Sequence, residues 1–267
     1  RFVWTFHHAL LDGRSMARIL HGFFRNLHDG TPPEALEISV WTPPDERMAA
    51  RAADIFRDEF AGVKMAVSTN PPESGGASKA VRCLGNERAT RLESVAAEMR
   101  VSPATILTWA WGQAVANASG ADAAVIEQVR CGPPQPGRTG FTMNTLPLVV
   151  PRAEAGPAAR QLQEFRARLL ALRGIESIAP YDLPPEVIAL TNGPWASVIM
   201  IERGTLAHMA GAGERVESIT LHEFPGGSLT AAAYHLPDLR LEVEGCRRNE
   251  LLDRWENHLE EMLGENG

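Results

Sequence analysis

The 267-residue sequence has little cysteine, only Cys83, Cys131 and Cys246. With no CxxC pair among them, neither a disulfide framework nor a zinc knuckle is indicated, and a reducing, cytoplasmic setting is the expectation. Positive charge is not in excess either: 26 Lys+Arg stand against 33 Asp+Glu, a formal net charge of −7. A protein that tracks phosphates needs clustered Lys and Arg, so no nucleic-acid partner is expected. Long hydrophobic runs are also absent. The most apolar stretch, Ile106 to Val115, is interrupted by Gly112 and Gln113, which leaves nothing long enough for a membrane span. Residues 1–11 lack the basic, apolar, small-residue layout of a signal peptide, and without an initial Met the sequence reads as a piece of something longer. No GxSxG elbow occurs, which sets aside a serine hydrolase. What is present, 44% hydrophobic and 22% charged residues, describes a globular protein of one large or two small domains.

The opening RFVWTFHH is aromatic and β-branched and predicts a strand, followed by the turn signal Asp12-Gly13. From Ser15, apolar residues Met16, Ile19, Leu20, Phe23, Phe24 and Leu27 recur at helical spacing until Gly30. A second helix is expected over 45–60. The Pro-, Gly- and Ser-rich stretch 68–78 predicts a linker, dividing the chain into 1–68, a linker at 69–78, and 79–267. In the second part, helices are expected at 87–100, 103–119 with Ser102 as N-cap and Pro103 at N1, 158–173 and 247–263. Strands are expected at 123–129, 145–150, 195–201, 216–221, 229–235 and 239–243, with a hairpin across Leu236-Pro237-Asp238. This mixture indicates an α/β, or α+β layered, fold.

Chemistry concentrates in His7-His8-Ala9-Leu10-Leu11-Asp12-Gly13-Arg14-Ser15. On a strand, neighbouring side chains face opposite sides, so only one of His7 and His8 can face a given site. Imidazole is the natural base for deprotonating an attacking amine or hydroxyl and needs no metal for it. Asp12 either orients the ring or fixes the loop. A plain strand end followed by a plain turn would carry the same residues, and spacing alone weighs the two readings about evenly. No metal site is expected: His8 and Asp12 lack a third ligand, and His21 and His28 sit on the following helix without a cluster.

Phe6 to Ser15, FHHALLDGRS, resembles the HHxxxDGxS signature of nonribosomal peptide synthetase condensation domains and their chloramphenicol-acetyltransferase-like relatives. Thr139 to Leu148, TGFTMNTLPL, resembles the family's G-x-F-V-N-T-L-P-L element, and Val129-Arg130 the end of the strand before it. Ile178 to Glu186, IAPYDLPPE, is similar to the degenerate Q-D-Y-P-F-E element, and LLDRWENHLEEML to the terminal helix. The first two elements are specific together; the others are weak singly. The chain departs from the pattern at Val149-Val150, where an arginine follows the leucine, and at Arg14, where Trp is common.

The resemblance implies a chloramphenicol-acetyltransferase-like two-lobe fold. The family places further strands and helices before the histidine motif, so an N-terminal segment of the first lobe is expected outside this sequence. It further implies that His8 is the general base or positioning group and that Gly13 lends a backbone N–H to a developing oxyanion. Asp12 would be structural, paired with an arginine for which Arg130 is the candidate. His7 and Asn144 would lie along the substrate channel. From the residues alone, Asn144 reads more readily as a turn residue starting a strand. The implied activity is acyl transfer from a phosphopantetheine or coenzyme A thioester, with an acyl or peptidyl carrier protein as partner, to an amine or hydroxyl acceptor. No tightly bound cofactor and no covalent enzyme intermediate are implied. The competing reading is a catalytically silent domain that binds a carrier protein as a scaffold.

Overall fold

The computed structural model describes residues 3–32, 34–38, 44–63, 79–131, 137–193, 195–202 and 229–264. The expected linker at 68–78 and the expected strand at 216–221 lie outside the described residues.

Helix α1 (Gly13–Asp29) starts where Asp12 caps it and ends at Gly30, whose φ of 71° is the left-handed conformation that closes a helix. Asp45 caps α2 (Glu46–Phe60) in the same way. After β2 (Lys79–Leu84) and α3 (Gly85–Glu98), Ser102 caps α4 (Pro103–Ser119), with Pro103 in the first turn. Helix α4 is apolar nearly all round and is accordingly buried from Thr105 to Ala116. Strands β3 (Ala123–Cys131) and β5 (Met143–Pro151) follow, then α5 (Ala158–Ala171), α6 (Pro185–Thr191), β6 (Ser197–Glu202), β7 (Leu229–Tyr234), β8 (Leu239–Gly245) and α7 (Arg248–Leu263). Two-residue strands β1 (Glu37–Ile38) and β4 (Arg138–Thr139) pair in parallel apart from the main sheet.

The main sheet is six-stranded and mixed, in the order β2-β8-β7-β6-β3-β5. The β7–β8 hairpin is antiparallel as expected, and β6 runs parallel to both β3 and β7. One face packs on helices. Ile126, Ile199, Ala231, Ala233, Leu241 and Val243 on it are fully buried. Two tryptophans tie the layers together by satisfying their buried N–H groups: Trp111 donates to Ser197 Oγ at 3.0 Å and Trp255 to the Leu107 carbonyl at 3.1 Å. Between α4 and β5 the backbones approach so closely that a Cβ on Gly112 would lie 2.5 Å from Val150. Gly112→Ala is therefore expected to destabilise by about 1–3 kcal/mol despite the better helix propensity of alanine. Adding Val150→Ala removes the two Cγ contacts but keeps the Val150 Cβ at 2.5 Å, so it should recover only part of the loss in a denaturant-unfolding cycle.

The outer edge of β5 is blunted. Thr145 N–H is taken by the Asn144 side chain at 2.9 Å and Val149 N–H by Glu59 of α2 at 3.3 Å. Pro147 and Pro151, of the same parity, have no N–H to offer. Such an edge does not template another strand.

The opening segment departs from expectation. Residues 3–7 form no strand, and His8–Leu10 is a single 3-10 turn. Aromatic and β-branched residues favour extended backbone, but a strand requires a ladder partner, and among the described residues none pairs here. Trp4 and Phe6, with ring centroids 4.7 Å apart, pack instead beside Met16, Ala17 and Leu20 of α1, forming a small cluster separate from the main core. The opposite-faces argument for His7 and His8 falls with the strand.

Candidate active site

The N-terminus of α1 is locked to the segment leading into β5, joining two sequence elements 125 residues or more apart. Asp12 is 1% exposed. One of its carboxylate oxygens accepts the Ser15 N–H at 2.8 Å; the other accepts the Thr142 N–H at 2.9 Å and the Thr142 hydroxyl at 2.6 Å. Its own N–H donates to the Gly140 carbonyl at 3.2 Å. Ser15 Oγ completes the clamp, donating to the Gly140 carbonyl at 2.7 Å and accepting the Gly140 N–H at 2.9 Å. Burial opposes ionisation of Asp12. The Thr142 hydroxyl first, then the Ser15 and Thr142 N–H groups, outweigh it and hold the carboxyl below its ordinary value.

Arg130 is not the partner of Asp12, which corrects the sequence expectation. Its Nε donates to Gln128 Oε1 at 3.2 Å and its Nη2 to the Leu169 carbonyl at 2.9 Å, on the face that Gln128 shares with α4 through Thr108. Burial lowers the proton affinity of its guanidinium, with Glu176 counteracting. The capping geometry explains the outcome: Ser15 and Thr142 already offer three donors to one carboxylate, so no cation is needed.

Asn144 is also spoken for. Its amide nitrogen donates to the Glu176 and Ile178 carbonyls at 2.8 and 2.6 Å. It anchors the loop after α5 to β5. Asn144→Ala leaves two carbonyls without their donors and is expected to cost about 2 kcal/mol, read as a lower urea midpoint.

His7 is exposed, and its Nδ1 accepts the Ala9 N–H at 3.2 Å. His8 opens the 3-10 turn four residues before the cap, and its side chain lies outside the described atoms. Gly13 is the first residue of α1, a position whose N–H has no intrahelical acceptor and carries the positive end of the helix dipole. His21 and His28 are exposed on α1.

Cys131, at the end of β3, comes within electrostatic range of Asp12, Arg14 and Glu202, a neighbourhood that sequence separation concealed. Burial first, then Asp12 and Glu202, raise its thiol pKa against the opposing pull of Arg14. A protonated thiol is a poor nucleophile. Among the described residues no group of three His, Cys, Asp or Glu side chains is placed to hold a metal ion. No helix among them is long and apolar enough to cross a membrane. A cavity of about 1120 Å³ opens at the opposite end of β3 and β5, beside Glu59, Asp122, Val149 and Arg168. The strands place it roughly 26 Å from the α1 clamp, so it is no part of this site.

No family model matches the chain. Over 184 residues, 63% of the chain, it is 32% identical to nonribosomal peptide synthetase 5 of Aspergillus fumigatus, and spans 8% of that protein's length. Its fold matches the first condensation domain of the calcium-dependent antibiotic synthetase with a TM-score of 0.68 at 17% identity, covering 97% of this chain and 65% of that one. The condensation domain of a monacolin K polyketide synthase matches with a TM-score of 0.69 at 13% identity, covering 97% and 68% respectively. The chain thus has the condensation-domain fold and is related in sequence to the nonribosomal peptide synthetases.

Proposed function

We propose that the protein is a condensation-type acyltransferase that moves an acyl group from a thioester to an amine or hydroxyl acceptor. The observation that carries this reading is the clamp of Asp12 and Ser15 on Gly140 and Thr142. It fuses the two specific sequence elements into one local structure, at the α1 N-terminus that follows His8.

In this mechanism the donor is a phosphopantetheine thioester on an acyl or peptidyl carrier protein, or coenzyme A itself. His8 accepts the proton of the acceptor, or holds it in line, as the acceptor attacks the thioester carbonyl. The oxyanion that develops meets the Gly13 N–H at the helix N-terminus, a donor fixed before the reaction and therefore worth more than water. Collapse breaks the C–S bond, and the leaving thiolate takes up the proton that the acceptor has given up. Holding both reactants in one channel supplies much of the rate. His7, exposed and turned to its own backbone, has no role in proton transfer.

The test is thioester turnover followed by intact-mass detection of the amide or ester product, with carrier-bound and coenzyme A donors in parallel. Product formation that requires His8 supports the acyltransferase. Carrier binding without turnover, unchanged in His8→Ala, supports a scaffold instead.

A further inference from the structure

The cavity at the far end of β3 and β5 takes no part in the α1 clamp and is built from three sides. Ile55 of α2 and Val63 in the turn after it form one wall, Ala167 and Ala171 of α5 a second, and Val149 with Pro151 of β5 the floor. At about 1120 Å³ it is large enough for a drug-sized molecule. These walls are apolar, and the charges set among them are mostly of one sign.

Among the described residues, the lining carries the carboxylates Asp58, Glu59 and Asp122 against a single cation, Arg168. That cation is already taken: Arg168 Nη1 donates to Glu59 Oε1 at 3.1 Å, the same oxygen that accepts the Val149 N–H. Arg152, next to Pro151, is engaged by Asp122 at 2.8 Å, and Arg57 turns back along α2 to Asp54 at 3.0 Å. Asp58 makes no side-chain hydrogen bond or ion pair among the described residues. It stands with Glu59 in the last turn of α2, the negative end of the helix dipole, where a carboxylate is disfavoured. Helix α4 ends at the same cavity, where Gly120 and Ala121 line it, and has no basic residue in its last turn. Two helix C-termini and an unpaired carboxylate thus converge on a space with apolar walls, and a positive charge placed there relieves their repulsion.

We propose that this cavity is a second ligand-binding site, which takes a small organic cation with an apolar body, an alkyl amine being the simplest case. The ammonium lies toward Asp58 and the end of α2, and the alkyl chain runs against Val149, Ala167 and Ala171. The site stands apart from the acyl-transfer reading and does not depend on it, because the strands hold it roughly 26 Å from the clamp. A neutral alcohol of the same length fills the same walls without answering the charge, and a fatty carboxylate meets like sign.

The test is calorimetric binding of octylamine, 1-octanol and octanoate at neutral pH to the wild-type protein, to Asp58→Asn and to Ala171→Phe. Octylamine is expected to bind the wild type about 5- to 30-fold more tightly than octanol. Octanoate should bind most weakly, and the preference for the amine should shrink as salt is raised. Asp58→Asn should bring octylamine down to the octanol value and leave octanol unchanged. Ala171→Phe sets a ring into the α5 wall and should weaken both. Both side chains are exposed, so the thermal midpoint should hold; if one variant fails to fold, the other decides. No binding of octylamine, equal affinities for octylamine and octanol in the wild type, or a preference that survives Asp58→Asn overturns the assignment. So does octylamine binding untouched by Ala171→Phe, which would put the amine elsewhere on an acidic surface.

Discussion

His8→Ala is expected to lower thioester turnover by roughly 10²- to 10⁴-fold, the usual worth of a positioned acid–base group. The loss should fall on kcat, because an imidazole that handles the acceptor proton acts mainly in the transition state. Secondary structure and thermal midpoint should hardly change, since His8 begins a three-residue turn ahead of the cap. His7→Ala is the control. Its ring accepts one exposed local N–H, so turnover within about twofold of wild type is expected, given how little an exposed neutral hydrogen bond contributes. A large loss in His7→Ala with none in His8→Ala would reverse the assignment.

Asp12→Ala should be the most damaging single change to stability near the site, costing about 3 kcal/mol. The cap accounts for about 1 kcal/mol, and the remainder comes from leaving the Thr142 N–H and hydroxyl without their charged acceptor. For a chain of this size the thermal midpoint would fall by roughly 6–12 °C. The same residue sets an acid limit. Its folded pKa lies below the unfolded value, so its contribution is fully present above the unfolded carboxylate pKa, about 3.9, and is lost as pH falls through the lowered folded value. Asp12→Asn removes that pH-dependent component. Its oxygen can still cap Ser15, but its amide group meets the Thr142 N–H donor to donor, so much of the cost remains. If Asp12 only positions the loop, the variants lose turnover together with the clamp but keep the wild-type shape of the pH profile. A shifted profile would place Asp12 in proton transfer.

Elements that carry a strong local code were legible in advance. Ser102 announced the start of α4 and accepts the backbone N–H three residues on; Asp12 and Asp45 cap α1 and α2 in the same way, where the sequence reading has Asp12 in a turn and Asp45 as the first residue of its helix. The Leu236-Pro237-Asp238 turn announced the β7–β8 hairpin. Elements with a weak code were missed. Strand β2 reads KAVRCL, with Cys83 exposed; an edge strand needs to bury little, so its pattern is faint. Helix α6 has seven residues, too few for periodicity to register.

The sequence by itself determined the positions of the main helices, the acid–base chemistry available in His7 to Ser15, and the presence of the MNTLP element. These are local matters of capping, period and residue type. Only the tertiary structure decided that Asp12 answers to Thr142 and not Arg130, that Asn144 is consumed by the loop at 176–178, and that Cys131 comes within electrostatic range of Asp12 and Arg14. The physical reason is that a buried polar group takes whichever donors or acceptors packing brings to it, and those partners lie 32 to 130 residues away along the chain.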